Sequence, residues 1–113
     1  LKGVPKGKGQ KISLAHMTYS YETFASKTAG EVLKDRGYKV SNQGLDPGIM
    51  WTSIATKSVD ATVTAELPIT QKAYANKYKG KVNHVRANLK GARIGLAVPK
   101  YMKNINSIND LKN

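Results

Sequence analysis

Alternating apolar and polar positions predict strands at several points along this 113-residue chain. Lys11 to Met17, Tyr38 to Leu45 and Val59 to Ala65 each alternate and each end at a turn signal. Val82 to Ala87 is expected to form a fourth strand. Arg93 to Val98 is almost wholly apolar, which is typical of a strand buried on both faces.

Apolar residues spaced three and four positions apart predict helices between these strands. The first helix is expected over residues 20–36, with Ser20 as its N-cap and Gly37 as its terminator. The second is expected over residues 47–57 and the third over residues 67–80. The resulting order, βαβαβαββ, predicts an α/β fold in which a mostly parallel sheet is flanked by helices.

The functional prediction centres on the stretch from Met50 to Pro68. In open α/β sheets, ligands are met just past the carboxyl ends of the strands. Glu66 lies at such an end, and Trp51, the only tryptophan, lies in the helix before that strand. We interpret Trp51 mainly as a packing residue, because large aromatic side chains on a helix that covers a sheet usually belong to the core.

The net charge is +12, and it is unevenly distributed. Between Glu66 and Asp110 there is no carboxylate, whereas nine lysines and arginines fall there. Such a field favours anionic partners. Scattered lysines without interleaved aromatics are more typical of a solvated face. A basic module that binds a polyanion (nucleic acid, anionic lipid or wall polymer) is therefore the alternative function, and no specific nucleic acid is expected.

Catalytic and metal sites have little support in the sequence. The two histidines, His16 and His84, have no acidic or hydroxyl partner at a telling spacing. The absence of cysteine excludes disulfides and thiolate metal sites. Neither a P-loop nor a dinucleotide fingerprint is present, and no apolar run approaches the roughly 20 residues that span a bilayer. We expect neither an enzyme nor a bound cofactor or metal.

Three segments are expected along the chain. Residues 1–10 are rich in glycine and lysine and predict a flexible basic arm. Residues 11–98 hold the α/β lobe. In residues 99–113, Ser107 and Asp110 have the spacing of a helix start shortly before the last residue. We therefore expect the chain to be part of a longer protein.

Four segments resemble, in order and spacing, the glycine betaine/choline-type substrate-binding proteins of ABC transporters, the OpuAC-like family. They are VLKDRGYKV (32–40), IMWTSIATKSVDATVTAELP (49–68), YANKYKGK (74–81) and NLKGARIGLAVPKYMKNINSINDLK (88–112). This resemblance implies the first lobe of a type II periplasmic-binding-protein fold, with residues 99–113 forming the crossover to a second lobe that is absent.

The resemblance also implies partners and a location. The ligand would be a small quaternary amine, and the partners would be the second lobe and an ABC permease in the membrane. The location would be extracytoplasmic, either periplasmic or as a lipoprotein anchored at the cell surface. An isolated lobe exposes its interlobe face, which favours association between copies.

A trimethylammonium group is held by aromatic faces, each contributing about 0.5–2 kcal/mol, and a ligand carboxylate suits the amides of a helix N-terminus. The resemblance implies these roles for Tyr19, Tyr21 and the backbone of Ser20, although Tyr21 also fits a packing position. It shows a tryptophan at Trp51 as well. Glu66 stands where the family usually has a cage tryptophan, so the ligand is expected to be choline-like, a different cation, or none.

Overall fold

A parallel βαβ unit forms the centre of the molecule in a computed structural model that describes residues 2–112. Strands β1 (Lys11–His16) and β2 (Lys39–Gly44) pair in parallel, and helix α1 (Ser20–Asp35) connects them. Ser26 on α1 donates a hydrogen bond to Asn42 on β2 at 2.8 Å, which fixes the helix against the sheet. The predicted α/β class and the parallel pairing are confirmed.

Helix α1 ends where the sequence predicts, but its N-cap differs from the prediction. Gly37 has φ +90°, a left-handed value that glycine adopts without a steric penalty, so the predicted terminator is confirmed. The predicted cap was wrong by one residue, because Tyr19 occupies the N-cap position and makes no side-chain capping bond. The extended backbone of Tyr19 places Ser20 inside the first turn.

Within residues 2–112, two shorter helices and a 3₁₀ helix follow α1. Helix α2 (Pro47–Ala55) begins at the proline expected at its start, and helix α3 (Lys72–Lys77) occupies the middle of the third predicted helix. The 3₁₀ helix (Ile108–Leu111) is closed by a capping box between Ser107 and Asp110, so the helix start predicted there is confirmed.

Three predicted strands were wrong. Residues 59–65 make one isolated parallel bridge, between Leu14 and Ala61, and do not continue as a strand. Residues 82–87 and 93–98 lie outside any strand, and the apolar side chains Ile94 and Leu96 are exposed instead of buried. An apolar run becomes a buried strand only when neighbouring strands satisfy its backbone groups, and no strand in residues 2–112 lies beside this segment.

The hydrophobic core joins the end of β1 to α2 and the segment that follows α2. Its buried members are Ala15, Met17, Met50, Trp51 and Val59. Asp60 ties the segment after α2 to β1, since its carboxylate accepts the Ser13 amide hydrogen at 2.8 Å. The core therefore supports the loop after β1.

The N-terminal segment packs beside α1, whereas the segment after α3 is largely exposed. The Gly7 amide donates to the Arg36 carbonyl at 2.7 Å, and the Gly9 amide donates to the Gly37 carbonyl at 2.8 Å. These bonds hold part of the basic arm beside the end of α1, and the flexibility of residues 1–10 stays a prediction.

The radius of gyration is 18.1 Å, whereas a compact chain of this length has about 13 Å. The excess reflects the exposed, extended segment after α3.

Candidate functional site

The loop from β1 into α1 is closed by a carboxylate. Glu22, in the first turn of α1, accepts the Met17 amide hydrogen on Oε2 at 3.0 Å. The Thr23 amide donates to the Tyr19 carbonyl at 2.9 Å, which begins the helix. Burial raises the pKa of Glu22 above its ordinary value, while the Met17 hydrogen bond opposes that shift. The loop is thus closed by a hydrogen bond to a buried carboxyl group.

This loop presents two tyrosines to solvent. Tyr19 is 62% exposed and Tyr21 is 61% exposed, and their rings stack with centroids 6.0 Å apart and planes inclined by 10°. The first amides of α1, including that of Ser20, have no partner within the helix and form its positive end. Aromatic faces and amides without an intrahelical partner therefore lie together at this loop.

Glu66, which is distant in sequence, lies beside the two tyrosines of this loop. The Tyr21 hydroxyl donates a hydrogen bond to Glu66 Oε1, joining residues that are 45 positions apart. This hydrogen bond, together with the carboxylate charge, raises the pKa of Tyr21 well above its usual range. The phenol therefore stays protonated, and the structure brings Tyr19, Ser20, Tyr21 and Glu66 together.

A cleft of about 580 Å³ opens beside this cluster. One wall is the segment 63–70, the second is the segment 88–94, and α1 contributes Tyr21 and Glu22. Asn88 ties the walls to each other by donating to the Val63 carbonyl at 2.7 Å. The cleft is large enough for a small organic ligand.

Trp51 lies apart from this cleft. Its side chain is buried in the core, its indole nitrogen donates to Gln71 Oε1 at 2.8 Å, and its ring stacks on Tyr74 at 6.5 Å. The packing interpretation of Trp51 agrees with this position. Trp51 is not one of the described residues that line the cleft. A contact between Trp51 and a ligand stays a prediction.

Two charged residues of the cleft were missed as site residues. Glu22 fits the first turn of a helix, where its charge suits the helix dipole, but nothing in the sequence indicates that it is buried. Arg93 was assigned to a buried strand, whereas it lines the cleft from an exposed segment. No group of three or more potential metal ligands occurs within residues 2–112.

The sequence of residues 10–113 matches the family described as the substrate binding domain of the ABC-type glycine betaine transport system. The chain belongs to this family. It is 47% identical over 110 residues to the glycine betaine/carnitine transport binding protein GbuC of Listeria monocytogenes serotype 1/2a (strain 10403S). That match covers 97% of this chain but only 37% of GbuC.

A second relative is an uncharacterized protein, ORF1, of Chromohalobacter salexigens. It is 28% identical over 104 residues, which cover 88% of this chain and 66% of that protein.

Solved structures of related proteins confirm the fold. Lactococcal OpuAC, in a closed conformation complexed with glycine betaine, matches with a TM-score of 0.86 and 36% identity, over 92% of this chain and 41% of that one. The glycine betaine/L-proline-binding protein ProX from Borrelia burgdorferi matches with a TM-score of 0.60 and 24% identity, over 62% of this chain and 26% of that one. The fold is thus that of one lobe of a type II periplasmic binding protein.

The helices described in residues 2–112 include none with the length and hydropathy of a membrane-spanning segment.

Proposed function

We propose that this chain is the part of an ABC-importer substrate-binding protein that captures glycine betaine, choline or a related quaternary amine. The observation that carries the proposal is the cluster of Tyr19, Tyr21 and Glu66 at the mouth of a cleft. Membership of the family, and the similarity to the transport binding protein GbuC, support this proposal.

The chemistry of the cluster suits a cation that cannot donate an N–H hydrogen bond. The exposed faces of Tyr19 and Tyr21 attract such a cation, each contributing about 0.5–2 kcal/mol. Glu66 adds a negative charge next to the same rings. The amides at the start of α1, near Ser20, suit an anionic group on the ligand. Trp51 contributes by supporting the core beneath the loop.

The wider role follows from the same proposal. Ligand is held between this lobe and a second lobe by a hinge closure, and the closed form docks on a membrane permease. The protein is extracytoplasmic, in the periplasm or anchored at the cell surface. The similarity to lactococcal OpuAC, whose closed structure holds glycine betaine, supports this mechanism.

Isothermal titration calorimetry with glycine betaine, choline and carnitine tests the proposal. Saturable binding of at least one ligand is expected. Tyr19→Ala should weaken it about 2- to 30-fold, the range that corresponds to one cation–π contact. Tyr101→Ala, which removes an exposed tyrosine outside the cleft, is the control and should change nothing. Absence of saturable binding, or equal losses in both variants, would contradict the proposal.

A second candidate function follows from one specific observation. Residues 79–103 contain no carboxylate, carry seven lysines and arginines, and are mostly exposed. A polyanion held by this segment would release counterions, so its affinity would fall steeply as salt is added. Capture of a quaternary amine in the cleft should respond little to salt, and this difference separates the two functions.

A further inference from the structure

The cleft carries two carboxylates in different surroundings. Glu66 is half-buried, and its Oε1 accepts the Tyr21 hydroxyl. Glu22 is only 1% exposed and also lines the cleft. One oxygen of Glu22, Oε2, is bonded to the Met17 amide, but Oε1 has no hydrogen-bond partner in the part of the chain that the structure describes.

A buried carboxylate oxygen without a partner is unfavourable, because it has lost water and gained nothing in exchange. A cation that enters the cleft would compensate that loss, since opposite charges attract more strongly where water is excluded. Glu22 therefore contributes a poorly compensated negative charge at the wall of the cleft that it lines.

Tyr21 connects the two carboxylates. It precedes Glu22 in the first turn of α1, its hydroxyl is bonded to Glu66, and its ring stacks on Tyr19. An aromatic surface that attracts cations thus lies beside two negative groups. No single one of these features defines a ligand, but together they favour positive charge at one place.

Arg93 is the only basic side chain among the described residues that line this cleft. It belongs to an exposed segment, where solvent and salt screen its charge. Glu22 is buried and is screened much less. The charge that a ligand meets inside the cleft is therefore negative, even with Arg93 at the wall.

We propose that Glu22 and Glu66 together make this site selective for organic cations that carry no anionic group, the choline class, over zwitterions such as glycine betaine. This inference rests on the proposed function, because it assigns the ligand class of the same site. A zwitterion brings its own carboxylate close to two others, and this repulsion offsets part of what its ammonium group gains.

Competition between simple probes tests the inference. We expect the 113-residue chain to bind choline and tetramethylammonium at least about tenfold more tightly than glycine betaine, measured by calorimetry at one ionic strength. Glu66→Gln should bring the choline-to-betaine affinity ratio towards one, because it removes a charge and keeps the size. Glu22→Gln should lower the ratio as well, while its amide oxygen can still accept the Met17 amide hydrogen.

Glu31→Gln is the matched control, since it neutralises an exposed carboxylate on the same helix that pairs with Lys34 at 2.8 Å, away from the cleft. It should leave the affinity ratio unchanged. Circular dichroism confirms that each variant is folded, and Glu66→Gln carries the test if Glu22→Gln does not fold.

The outcomes separate this inference from the proposed function. If glycine betaine binds as tightly as choline, or more tightly, the selectivity is overturned and the proposed function stands. If choline is preferred but neither glutamine variant changes the ratio, the carboxylates are not its source and the inference is also overturned. If no probe binds, the proposed function fails, and the inference fails with it.

Discussion

Replacing Trp51 with phenylalanine removes one buried hydrogen bond from the core. Trp51 and Gln71 are both buried, and the indole nitrogen donates to Gln71 Oε1 at 2.8 Å. Phenylalanine keeps an aromatic ring close to Tyr74 but has no donor. The Gln71 oxygen then stays buried without its partner, while the Gln71 amide nitrogen remains 3.1 Å from the Met17 sulfur.

The magnitude follows from these contacts. A buried acceptor that loses its donor costs about 1–3 kcal/mol. The smaller ring also leaves a cavity, which costs about 24 cal/mol for each cubic ångström that does not refill. We expect a loss of about 2–4 kcal/mol in the free energy of unfolding, against the roughly 5–15 kcal/mol typical of a whole domain.

Urea unfolding followed by far-ultraviolet circular dichroism measures this loss. With a slope of about 1–2 kcal/mol per molar urea, a loss of 2 kcal/mol lowers the midpoint by about 1–2 M. Trp51→Phe combined with Gln71→Leu should be less destabilised than the sum of the single variants, because both partners become apolar. A Trp51→Phe protein with an unchanged midpoint and a lost ligand affinity would refute the packing role and favour a ligand contact.

Two further predictions concern Gly7 and Glu22. A Cβ at Gly7 would overlap the ring of Tyr38, so Gly7→Ala should cost about 1–3 kcal/mol in thermal unfolding. Gly95→Ala, at a position with open space around it, should cost far less, and equal losses would argue against the overlap. For Glu22, burial raises the pKa of the folded state above 4.5, so the folded state binds more protons than the unfolded state. Its unfolding free energy should fall as pH rises from about 4.5 through the folded-state pKa, relative to Glu22→Gln; a pH-independent difference between the two proteins would contradict this.

The sequence by itself determined the features that depend on neighbouring residues. The terminator Gly37, the capping box of Ser107 and Asp110, and the alternation of residues 11–17 all appear as predicted. These features arise from backbone preferences and hydrogen bonds that close within a few residues. The parallel βαβ unit was predictable for a related reason, because its two strands and their helix are consecutive in the chain.

Only the tertiary structure decided which residues meet across long separations. The apolar run of residues 93–98 predicts a strand, yet a strand requires a partner, and the described chain places none beside it. The contact between Tyr21 and Glu66 spans 45 positions. The burial of Glu22 depends on the loop that folds over it. Periodicity and composition indicate what a segment can form, whereas partners and burial depend on how distant segments pack, because solvation and hydrogen bonding are settled only by that packing.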